Sequence, residues 1–204
     1  MFMNKFKLLA IFGMMAPVLY TLLWIIAGWI VPGYDHIKDD VSSLYAINAP
    51  MRWFFQIGFL IGSILLFVFY TGLHKGMNNG EGSIVGPILM MVSSFLGVVV
   101  ASFFPLDEGG EIGTWRGQGH LIIIVISGVI GIIGMFFLWA RAKKLDGWVG
   151  FGWFTFASAI ICLILVGVNV PFAGSEVMGL IERFMVTYYQ IFYFVNALMV
   201  YLKN

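Results

Sequence analysis

The spacing of charge along this chain constrains its fold more than any other feature. Between successive charged residues or histidines it runs bare for 27 residues (8–34), 21 (53–73), 25 (82–106), 29 (147–175) and 19 (184–202). A further 24 (117–140) are interrupted only by His120. A soluble helix needs a polar face to meet water, and none fits in runs of this length. They suit a hydrocarbon solvent, where roughly 20 apolar residues cross the bilayer core as a helix. Together the six runs cover 145 of 204 residues, leaving connections too short for a separate soluble domain. The expectation is an all-α integral membrane protein, one six-transmembrane helix bundle over 1–204, with spans at about 8–31, 53–73, 83–104, 119–140, 147–169 and 181–202. With 61% hydrophobic and 10% charged side chains, no surface for nucleic acid is expected. Residues 1–7 imitate the start of a signal peptide, but the apolar run behind them is too long, so the first helix is read as retained.

The charges predict the orientation. With the N-terminus inside, the inner segments hold Lys5, Lys7, Lys75, Arg141, Lys143, Lys144 and Lys203 against Glu81 and Asp146, a net of +5. The outer segments hold Lys38, Arg52, Arg116 and Arg183 against eight acids, a net of −4. That asymmetry predicts an N-in, C-in bundle. Its inner turns are tight and its outer loops long, so three helical hairpins open outward, each turning at a proline (Pro32, Pro105, Pro171). Small residues at four-residue spacing (Gly58 with Gly62, Ser93 with Gly97 and Ala101, Ser127 with Gly131, Ser158 with Cys162) predict close helix packing.

Residues fit for chemistry gather on the outer face. In the first outer loop, Asp39 or Asp40 precedes a short apolar stretch and is expected to cap a short helix there. That leaves Asp35, His36 and the other aspartate for a site. Ser42 and Ser43 are hydroxyls on a turn, and either becomes a nucleophile only if a base sits beside it. The second outer loop carries Asp107, Glu108, Glu111, Arg116 and five glycines in front of His120. His120 is expected at a helix N-terminus, which favours the neutral ring, with Asp107 beside it pulling the other way. Glu182 and Arg183 open the sixth span, and Arg183 or Arg116 suits an anionic group such as a lipid phosphate. Asp40, Asp107 and His120 are therefore the candidate catalytic groups, with Asp35, Ser42, Arg116, Glu182 and Arg183 as candidate ligand-binding groups, and the three outer loops are expected to close over one shared polar pocket holding Asp35 or Asp40, Asp107, His120 and Arg183. No HxxxH, HExxH or CxxC spacing occurs, so a metal would need Asp35, Asp107 and His120 assembled across loops. Metal and cofactor both stay open.

The segments Pro32-Gly33-Tyr34, Val41-Ser42-Ser43-Leu44, Ala49-Pro50, Phe104-Pro105-Leu106-Asp107, His120 and Gly179-Leu180-Ile181-Glu182-Arg183, in that order, resemble a bacterial and archaeal membrane family called domain of unknown function 998. The resemblance implies six helices, a multi-pass place in a prokaryotic cell membrane, and Ser42, Asp107, His120, Glu182 and Arg183 as site positions. It supplies no activity. Leu106 stands where the family's pattern has a cysteine, and Ser42-Ser43 where it has a serine followed by an acid. Three functional classes follow. One is an enzyme acting on lipids at the outer leaflet, a hydrolase or a headgroup modifier. Another is a non-enzymatic protein that binds lipids or a partner. A small-solute transporter is disfavoured, because no Asp, Glu, Lys or Arg lies at mid-span. Membrane lipids are the expected partners, and a homo-oligomer stays open.

Overall fold

The computed structural model describes residues 4–204; residues 1–3 of the signal-like start lie outside the described residues. Six helices follow one another: α1 (Lys5–Ile30), α2 (Arg52–Gly76), α3 (Val85–Phe103), α4 (Trp115–Ala142), α5 (Val149–Asn169) and α6 (Met178–Lys203). All six are long and apolar enough to cross a membrane, α5 with the short turn after it. No strand occurs among the described residues. The spans read from the sequence are all present, displaced at their ends by local capping. Asn4 opens α1 by accepting Phe6 N at 3.0 Å. Thr114 opens α4 four residues before the expected start, its hydroxyl accepting Arg116 N at 3.2 Å. His120 therefore sits in the second turn of α4 rather than at a helix N-terminus. Pro87 falls in the first turn of α3, where a missing N–H removes no intrahelical bond.

The helices form a closed ring in which each packs on its chain neighbours and α6 returns to α1. Lipid gives no hydrophobic drive between spans, so close approach relies on small residues and reciprocal hydrogen bonds. A Cβ on Gly13 would lie 2.5 Å from the Phe69 ring, and one on Gly86 would lie 2.8 Å from the Leu138 backbone nitrogen. Ser93 Oγ donates to the Ser127 carbonyl at 2.9 Å while Ser127 Oγ donates to the Ser93 carbonyl at 3.0 Å, fastening α3 to α4.

At the short-turn end, Arg141 of α4 is buried and donates to the carbonyls of Met77 (2.7 Å), His74 (3.0 Å) and Ser83 (3.3 Å). One guanidinium thus holds the whole α2–α3 turn. Two apolar cores result. The larger fills the short-turn half of the ring around Tyr70, Leu73, Met135, Leu138, Cys162 and Phe192. The smaller lies at the long-loop end, where α1 and α2 meet the first loop around Leu23, Ala27, Leu44, Tyr45, Phe55 and Phe59.

Candidate functional site

The first long loop, 31–51, folds against the start of α6, and its shape follows from where its backbone groups find partners. The first amides of α6 have no intrahelical acceptor. Gly179 N and Leu180 N donate instead to the carbonyls of Lys38 (3.3 Å) and Ile37 (3.0 Å). Arg183, also buried, donates to the carbonyls of His36 (2.6 Å) and Asp39 (2.8 Å), to Gly179 O (2.8 Å) and to the Tyr34 hydroxyl. Its terminal nitrogens are occupied by the loop, which places it as a loop fastener where a phosphate anchor was expected. Its guanidinium also lies 5.5 Å from the ring centres of Trp24 and Tyr34, within cation–π range. Glu182, beside it, accepts Val41 N at 2.7 Å.

Asp40 performs the expected capping. Its Oδ1 accepts Ser43 N at 2.6 Å and its carbonyl accepts the Ser43 hydroxyl at 2.7 Å, at the start of a 3-10 turn over Ser42–Tyr45. Burial lifts its carboxyl above the ordinary aspartate range, against the pull of those Ser43 bonds. Burial also lowers His36, helped by the Arg183 charge. Asp35 is exposed and accepts Ile37 N at 2.8 Å in a local turn. Asp39 accepts Asp35 N at 2.7 Å.

That 3-10 turn delivers Ser42 to His120, 78 residues further along the chain. His120 is buried, with Nδ1 at 2.6 Å from the Phe104 carbonyl and Nε2 at 3.2 Å from Ser42 Oγ. A carbonyl can only accept, so Nδ1 carries a proton and the neutral ring turns Nε2, as acceptor, toward the Ser42 hydroxyl. The Tyr45 ring flanks the imidazole at 5.9 Å between centres. The local sequence makes this geometry possible. A Cβ on Gly119 would meet the Phe104 ring at 2.5 Å, so glycine there lets the end of α3 lie against α4 and brings its last carbonyl to the histidine.

Asp107 is not the partner of His120. Its carboxylate accepts the Thr114 backbone amide and hydroxyl, each at 2.6 Å, because Thr114 stands at the mouth of the same turn. These bonds hold Asp107 below the ordinary aspartate range. Gly117 packs under that carboxylate, where a Cβ would fall 2.6 Å from Asp107 Oδ2. Arg116 is exposed, and its backbone amide takes part in the Thr114 cap.

The candidate site residues are thus divided among three networks: Asp40, Glu182 and Arg183 with the first loop, Ser42 with His120, and Asp107 with Thr114. A surface cavity of about 380 Å³ does lie between the first and second loops, bordered by Tyr34, Asp39, Ser43, Asn48 and Glu108, but not by Asp40, Asp107, His120 or Arg183. Among the described residues no three His, Cys, Asp or Glu side chains converge as a metal-ligand set. Sequence reading passed over Tyr34, Tyr45 and the Phe104 carbonyl. Tyr34 stands in a family segment that assigns it no role, Tyr45 carries no motif signal, and a backbone carbonyl leaves no trace in residue type.

The molecule is a six-helix membrane bundle whose long-loop end sets a half-buried serine against a buried histidine. A family model described as "Protein of unknown function (DUF998)" matches residues 14–199, nearly the whole chain, and the protein belongs to that family. No curated protein and no solved structure matches it.

Proposed function

We propose that this protein is a membrane-embedded acyl hydrolase acting on lipid esters at the outer leaflet, with Ser42 as nucleophile and His120 as base. The carrying observation is the chain of contacts Ser42 Oγ to His120 Nε2 to His120 Nδ1 to Phe104 O, at 3.2 and 2.6 Å. Nucleophile, base and a group orienting the base are the elements of serine acyl transfer. In this reading Ser42 Oγ attacks the ester carbonyl carbon as its proton passes to Nε2. The tetrahedral adduct then expels the alcohol, which takes that proton, and water activated by the same nitrogen releases the carboxylic acid. A carbonyl orients the ring as a carboxylate would, but it stabilises the imidazolium less. A slow enzyme is expected.

The outward placing of this end rests on charge, because the basic excess lies at the short-turn end with Lys75, Arg141, Lys143, Lys144 and Lys203. One observation favours a second reading, a non-enzymatic lipid-binding protein: Asp40, Glu182 and Arg183 are all engaged in fastening the loop.

The test is a fluorophosphonate probe applied to the protein in vesicles, followed by mass spectrometry of the modified peptide. Labelling of Ser42, lost in Ser42→Ala and reduced at least tenfold in His120→Ala, is expected, since a positioned base contributes a factor of about 10² to 10⁴. A folded wild type that takes no label at Ser42 sinks the hydrolase reading.

A further inference from the structure

Four basic side chains stand at the long-loop end, and three of them are engaged. Lys38 pairs with Glu176, Arg183 is held by carbonyls of the first loop, and Arg116 lies in the field of the Asp107 carboxylate. Arg52 differs. Among the described residues it forms no ion pair, and its Nε is buried with no acceptor. Its flat guanidinium lies 4.7 Å from the centre of the Trp53 ring, a cation–π contact that positions the charge without neutralising it.

The backbone beside it is open as well. Met51 occupies the N-cap of α2 in a left-handed conformation (φ 57°), and its side chain has no oxygen to offer the first amides. Arg52 N donates to Ala49 O at 3.1 Å, and Phe54 N and Phe55 N share Met51 O at 2.9 and 3.3 Å, but Trp53 N finds no acceptor among the described residues. A free donor and the positive end of a helix thus stand next to a full positive charge. Asn48, Ala49, Met51, Arg52, Trp53 and Phe54 border a surface cavity of about 320 Å³ at this point, with no carboxylate in its walls. The sequence gives its depth. Arg52 is the last charge before the bare run 53–73, at the level where hydrocarbon gives way to headgroups. Met51, Trp53 and Phe54 are exposed and meet lipid there.

We propose that this cavity binds the phosphate of a phospholipid from the leaflet at the long-loop end. The Arg52 guanidinium and the Trp53 amide hold the phosphate oxygens, and the side chains of Met51, Trp53 and Phe54 lie against the glycerol and upper acyl chains. The occupant follows from charge and depth. A guanidinium without a carboxylate, beside an open helix N-terminus, suits an anion with several acceptor oxygens. The apolar side chains around it and the level in the membrane suit an anion that carries hydrocarbon. The phosphate role expected of Arg183 or Arg116 therefore falls to Arg52. The cavity shares Asn48 and Ala49 with the one between the first and second loops, so the bound lipid sits at the rim of that cavity. Nothing in this site rests on the hydrolase reading.

The test titrates phosphatidylglycerol into the full chain in a phosphate-free maltoside detergent, reading bound lipid by native mass spectrometry and stability by thermal unfolding. The wild type should retain one tightly held phosphatidylglycerol and melt higher with it. Arg52→Gln should melt like the wild type when no lipid is added, since this side chain fastens no other residue. It should weaken the tight site about tenfold or more, the effect of losing a hydrogen bond to a charged group. Arg116→Gln removes the same charge from the same end and should leave the site unchanged. Diacylglycerol with the same chains lacks the phosphate and should not fill the site, and inorganic phosphate lacks the chains and should not displace the lipid. A wild type without a tight lipid, equal weakening by both variants, or equal binding of diacylglycerol overturns the proposal. Displacement by millimolar inorganic phosphate overturns it too, because the site would then take a free anion. The diacylglycerol and phosphate comparisons use the wild type alone and decide the matter even where Arg52→Gln fails to fold.

Discussion

Asp107 and His120 show how a side chain's role is settled by the nearest group able to satisfy it. Asp107 lies in the second long loop and His120 in the second turn of the helix that follows it, close enough in sequence to suggest a pair. Thr114 offers Asp107 two donors at 2.6 Å, while the end of α3 offers His120 a carbonyl at the same distance, so each is taken before the other is reached. The consequence for acid stability has a definite sign. Asp107 titrates below its unfolded value, so its bonds stabilise the fold fully above the ordinary carboxylate pKa near 4. That contribution is lost as pH falls through the lower, folded value. Asp107→Asn should therefore lower stability at neutral pH and flatten the acid limb of stability against pH, measured by unfolding in detergent between neutral and strongly acidic buffer. An acid limb identical to that of the wild type would remove Asp107 from the account.

Among the elements, glycines mark where helices touch. On Gly86 a Cβ would press against the Leu138 backbone at 2.8 Å, whereas on Gly150 it would meet nothing within 4 Å. Gly86→Ala must part α3 from α4 and should destabilise the bundle by about 1–3 kcal/mol, as overpacking does. Gly150→Ala should leave the melting temperature of the detergent-solubilised protein almost unchanged. Equal effects at both positions would contradict the packing described. The helices themselves were legible in the sequence, because bare runs of 19 to 29 residues leave a chain few alternatives. Their ends were less so. Thr114 is an ordinary cap residue hidden among glycines, and reading α4 from the apolar run alone moved its start past it and gave His120 a helix terminus it does not have. The serine–histidine pair was legible only as a condition, a hydroxyl in need of a base. The contact spans 78 residues, and no spacing in the sequence reports it.

On the scale of the whole molecule the charge asymmetry becomes a statement about sides. If the long loops face outward, a membrane-impermeant maleimide added to intact cells should modify Glu111→Cys and spare Lys144→Cys, both in a Cys162→Ala background and both at exposed positions. The reverse pattern would place the proposed site on the cytoplasmic face and away from the outer leaflet.

The ring closes through α6, and that has a bearing on the order in which the protein matures. The loop at 31–51 is synthesised well before Glu182, Arg183 and the first amides of α6 that hold it. Chains emerge at about 5–20 residues per second, so roughly 140 residues are added while that loop waits with its carbonyls unclaimed. The loop that carries Ser42 is therefore fully fastened only once α6 has entered the bilayer and met it. Until then the nascent chain carries Ser42 and His120 in the membrane without the contact that joins them in the finished fold.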